Sequence, residues 1–101
     1  MKKIILILFI LIPGFLLAQN TFRVMGKVTD TKGDPLIGAN VYIRVLNAGT
    51  STDIEGNYSF ELSKDYARNQ QVDLLCSFVG YKRSEVKITL TGNSIEQNFR
   101  L

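Results

Sequence analysis

Asp53, Glu55 and Asn57 set three oxygen-bearing side chains at alternate positions of Thr52-Asp53-Ile54-Glu55-Gly56-Asn57-Tyr58-Ser59-Phe60-Glu61-Leu62. Calcium takes carboxylate and carbonyl oxygens from flexible loops of this kind, but the twelve-residue loop spacing and its terminal glutamate are missing. The same residues suit a tight reversal, because Asp and Asn side chains bond nearby main-chain amides and Gly56 accepts positive φ. Asp30, Asp34 and Asp53 are the residues for a carboxylate acid-base pair, and nothing in the sequence brings two of them together. Histidine is absent and Cys76 is the single cysteine, which removes Ser-His-Asp and Cys-His catalysis, histidine or thiolate metal sites and any intramolecular disulfide. The expectation is therefore a protein that is not an enzyme, with no catalytic residues, no metal site and no cofactor.

Four tyrosines remain as binding chemistry. Tyr58 shares a face with Phe60 and Leu62 and reads as core, and Tyr66 falls in a polar connection. Tyr42 lies opposite Val41 and Ile43, and Tyr81 sits in a turn after Gly80. Tyr42 and Tyr81 are the candidate ligand contacts, for a glycan or a peptide. Cys76 alternates with Leu74 and Phe78 and reads as a small core residue.

The elements that position these residues are strands. Phe22, Val24, Gly26 and Val28 alternate with Arg23, Met25, Lys27 and Thr29, and Gly26 within the run implies close approach by a neighbouring backbone or ring. After the Thr31–Pro35 loop, Val41, Ile43 and Val45 alternate as a second strand. Asn47-Ala48-Gly49 is a turn signal, and Thr50–Thr52 reads as a brief edge strand open to a partner strand. Ser63–Gln71 is a polar connection with room for one helical turn. Val72–Val79 is apolar on both faces, as in a central strand. Val86, Ile88 and Leu90 follow, then a hairpin-type turn at Thr91–Ser94, then Ile95, Gln97, Phe99 and Leu101 on one face. Short strands with turn signals between them and no helical period give an all-β fold, a two-sheet sandwich rather than a barrel.

The N-terminus is different in kind. Met1-Lys2-Lys3 precedes an unbroken apolar run from Ile4 to Ile12, and Pro13-Gly14 interrupts it before Phe15–Ala18. That order is a secretory signal peptide over residues 1–18, and the stretch is shorter than the roughly 20 residues of a bilayer span. Removing it leaves one domain over residues 19–101, and taking Lys2 and Lys3 from the twelve basic residues leaves ten against nine acidic. The basic residues are scattered singly, so no nucleic-acid partner is expected.

Four blocks in order are similar to a known family: Val24-Met25-Gly26-Lys27-Val28-Thr29-Asp30, Gly33–Val41, Gly49–Phe60 and Ser77-Phe78-Val79-Gly80-Tyr81-Lys82. Together they resemble the carboxypeptidase regulatory-like (CarboxypepD_reg-like) domain, over about Phe22 to Leu101. The resemblance implies a transthyretin/prealbumin-like, immunoglobulin-like seven-stranded β-sandwich, common at the N-terminus of SusC-type TonB-dependent outer-membrane transporters and as an accessory domain of secreted proteins. It implies no catalytic residues. Such transporters continue into a plug and a large barrel, which 101 residues cannot hold, so transport by this polypeptide alone is not expected. The expected protein is exported to the periplasm, the outer-membrane periphery or the cell surface, and meets a membrane only by association. Its expected partner is an envelope protein or transporter component. Glycan or peptide binding through the tyrosines is the second reading, and a fragment of a transporter's N-terminal domain the third.

Overall fold

The computed structural model describes residues 20–101, and the signal-peptide expectation lies outside them. The strands are β1 (Thr21–Thr29), β2 (Asn40–Ile43), β3 (Ala48–Ser51), β4 (Asn57–Ser63), β5 (Gln70–Ser77), β6 (Ser84–Leu90), β7 (Ile95–Glu96) and β8 (Phe99–Arg100). One sheet runs β4-β1-β7 with β8 also on β1, and the other runs β3-β2-β5-β6. β7 and β8 both pair with β1 in parallel and act as one interrupted strand, which gives the expected seven, three against four.

Alternation explains the packing. Phe22, Val24 and Val28 of β1 and Tyr58 and Leu62 of β4 point inward to meet Val41 and Ile43 of β2, Leu74 and Cys76 of β5, and Ile88 and Leu90 of β6. Cys76 is fully buried, and burial pushes its thiol up to about 11. The β1–β4 ladder runs without a break from Thr21↔Ser63 to Lys27↔Asn57 and sets Gly26 opposite Tyr58.

That pairing explains why the last strand is broken. A side chain at Gly26 would overlap the Gln97 carbonyl and the Tyr58 ring. With no Cβ there, the Tyr58 hydroxyl reaches over β1 and donates to the Gln97 carbonyl at 2.5 Å. The carbonyl is thereby turned out of the ladder, and the Lys27 N–H is received instead by Asn98 Oδ1 at 2.9 Å. Pairing with β1 then resumes at Phe99. Burial holds the Tyr58 hydroxyl well above its ordinary pKa of 10.0, so it stays a donor.

Several expectations are corrected. β2 stops at Ile43 and Arg44–Leu46 turns as a short 3-10 helix, so Val45 stands 78% exposed instead of entering the core. Asn47 closes that turn in the left-handed region at φ 52, and β3 starts already at Ala48. β5 ends at Ser77, leaving Val79 outside the strand and 93% exposed. The Thr91–Ser94 turn forms no hairpin, because β6 and β7 belong to different sheets.

Candidate interaction surface

The carboxylates named as candidate chemistry are used to build turns. Asp30 Oδ1 accepts from the N–H groups of Lys32 at 2.8 Å and Asp34 at 3.0 Å. Asp53 Oδ1 accepts from those of Glu55 and Asn57, both at 2.9 Å, while the Asp53 carbonyl receives the Gly56 N–H. Gly56 takes φ +80 to complete the reversal, beside Val28 and Pro35. Each aspartate thus satisfies amides that a reversal leaves unpaired. Among the described residues no group of three or more His, Cys, Asp or Glu side chains could hold a metal ion.

Tyr42 and Tyr81 are not brought to one cavity. Tyr42 is half-buried on the outer face of its sheet, between Gly49 of β3 and Leu75 of β5, and lines a shallow depression of about 300 Å³ with Arg44 and Asn47. Tyr81 lies in the β5–β6 turn, 41% exposed, with its ring centroid 5.7 Å from that of Phe78. Gly80 at φ +88 lets the chain reverse between them, and the Tyr81 N–H donates to the Phe78 carbonyl.

Tyr81 has company that its sequence position did not reveal. The β1–β2, β3–β4 and β5–β6 connections all leave the sandwich at the end to which β1 runs. At that end Ile37 is 56% exposed, Ile54 74% and Val79 93%. These loops are tied together: Thr52 Oγ1 donates to the Leu36 carbonyl at 2.5 Å and accepts the Ala39 N–H at 2.9 Å, and the Gly38 N–H donates to the Thr52 carbonyl. β3, with Thr50 and Ser51, is a sheet edge as expected, but Thr52 lies beyond it, buried and occupied by the loop. Gly38 and Val79 share a depression of about 320 Å³ with Phe78, so the β1–β2 and β5–β6 loops adjoin. A signal for this surface did exist: Ile37 and Ile54 are large apolar residues placed beside turn residues, where no core position is available.

The family model of the CarboxypepD_reg-like domain matches residues 24–101. The chain is 38% identical over 94 residues to the TonB-dependent receptor SusC of Bacteroides thetaiotaomicron, a match covering 88% of this chain and 9% of the receptor. It is 29% identical over 87 residues to the TonB-dependent receptor P3 of Formosa agariphila, covering 85% of this chain and 8% of that receptor. The chain thus spans less than a tenth of the length of the curated relatives it matches. Among solved structures, catechol 1,2-dioxygenase from Acinetobacter sp. ADP1 aligns at TM-score 0.51 and 16% identity over 71% of this chain and 37% of that one. Hydroxyquinol 1,2-dioxygenase from Pseudomonas putida DLL-E4 aligns at 0.50 and 16%, over 69% and 38%. At that identity the likeness to the dioxygenases concerns the fold alone.

Proposed function

The chain belongs to the CarboxypepD_reg-like domain family, and from that premise we propose that it is a secreted, non-enzymatic interaction module of the cell envelope. In this reading its partner is an envelope protein, such as a component of an outer-membrane transporter, held at the loop end of the sandwich. The observation that carries the reading is the clustering of exposed Ile37, Ile54, Val79 and Tyr81 at one end. Large apolar side chains left exposed at one end of a domain mark contact with another molecule. The similarity of most of the chain to a small part of two TonB-dependent receptors supports a partner of that class. Tyr81 belongs to this surface. Tyr42 faces a different side, so a glycan or peptide site built from both tyrosines has no support in the geometry.

The test is capture from detergent-solubilised cell envelopes by the purified chain and by a Val79→Asp/Ile54→Asp variant. Both positions are exposed, so the variant keeps the wild-type melting temperature. The expected result is one recurring envelope protein retained by the wild type and lost with the variant. Equal retention by both, or no envelope protein retained by either, overturns the reading.

A further inference from the structure

The described strands leave four sheet edges, and three of them are short, interrupted or met at one end by another strand. β3 has four residues and is flanked by the 3-10 turn. β4 has β3 packed beside it where the chain crosses between sheets. The β7–β8 edge is broken at Gln97 and Asn98. β6 is the exception: seven residues in continuous register with β5, from Ser84↔Cys76 to Leu90↔Gln70, without proline, glycine or an inward-facing charge. Among the described residues it pairs with no strand besides β5. A regular, unprotected edge presents a row of free N–H and C=O groups to any strand that can align with it.

We propose that this edge pairs with β6 of a second copy of the chain, antiparallel, about a two-fold axis at Val86. The triplet Glu85-Val86-Lys87 is self-complementary in that register: Glu85 lies directly across from Lys87 of the second copy, twice, on the same outer face. Glu85 is exposed and takes part in neither of the ion pairs among the described residues, so its carboxylate is available. Lys87 already holds Asp73 of β5 at 3.0 Å, and its other flank would receive Glu85 of the second copy, giving an acid-base-acid row across the junction. Half-buried Val86 meets its own counterpart on the inner face. Moving the axis by one residue to Lys87 sets two ammonium groups opposite each other, so charge selects the register. The product is one eight-stranded sheet from two four-stranded ones, with the two apolar loop ends pointing in opposite directions and both free.

Charge-reversed variants of the purified chain, followed by analytical ultracentrifugation from micromolar to millimolar concentration, test the pairing. The wild type shows a monomer-dimer equilibrium. Glu85→Lys places Lys opposite Lys, and Lys87→Glu places Glu opposite Glu, so each alone dimerises roughly tenfold more weakly or worse. Mixing the two variants restores association as a one-to-one heterodimer. In that pair one triplet carries two lysines and the other two glutamates, so both cross-strand positions again join opposite charges. Both positions are exposed, and loss of the surface Lys87–Asp73 pair has little effect on folding. A wild type that stays monomeric throughout, a Glu85→Lys variant that dimerises as well as the wild type, or a mixture that fails to associate overturns the proposal. Partner capture at the loop end is read separately, since neither variant touches Val79 or Ile54.

Discussion

Around Tyr58, two rings, a glycine and the main chain of the last strand close on one another, whereas at the loop end Tyr81 is exposed together with Ile37, Ile54 and Val79. The same side chain does different work in the two places. At Tyr58 the hydroxyl replaces a lost ladder bond and the ring packs 6.4 Å from both Phe60 and Phe99, measured between centroids. At Tyr81 the ring lies 5.7 Å from Phe78 and the residue stays 41% exposed. The difference is that polar groups of the junction are used up in folding, while the loop end keeps surface that folding does not need. Burial and satisfied hydrogen bonds identify structural residues here; exposed apolar area marks the proposed contact surface.

Substitutions in each region separate the two behaviours. Gly26→Val has the largest expected effect, because its side chain collides with the Gln97 carbonyl and the Tyr58 ring; the destabilisation is about 3 kcal/mol or more by chemical denaturation. Gly56→Val, at φ +80 and hard against Val28 and Pro35, loses about 2 kcal/mol from the same assay, since a branched residue is poorly tolerated in the left-handed region. Tyr58→Phe leaves the Gln97 carbonyl without its donor and lowers stability by about 1 to 2 kcal/mol. Alkaline pH gives a smaller and graded effect. The Cys76 thiol titrates from an ordinary value of 9.0 up to about 11 in the fold. The unfolded chain therefore loses this proton first, so the stability tied to it is complete below pH 9 and is lost as pH rises through 11. Melting curves from pH 8 to 11.5 read this loss, and a Cys76→Ala variant removes its share of the slope. Val79→Asp, at the loop end, shifts stability by no more than about 0.5 kcal/mol.

Much of this was legible in the sequence because alternation is a local property. Phe22, Val24 and Val28, or Tyr58 and Leu62, can face only one way once their strands form, and Gly26 announced the close approach that Gln97 and Tyr58 supply. The errors fall where local pattern and tertiary position disagree. Val45 and Val79 continue an apolar alternation, yet each lies beyond the last residue that a neighbouring strand can pair, so neither has a partner sheet to enter. Thr91–Ser94 has hairpin composition, but the same residues carry the chain from one sheet to the other. The loop-end surface depends on three connections far apart in sequence meeting through Thr52 and Phe78. No window of neighbouring residues contains that information.

Amide hydrogen exchange on the chain with its captured envelope partner bound locates the contact surface. Slowed exchange confined to the loop amides near Ile37, Ile54 and Val79–Tyr81, with the Tyr42 face unchanged, is the predicted result. Protection at Tyr42 and the β2–β3 strands, with the loop end exchanging as in the free chain, would contradict it.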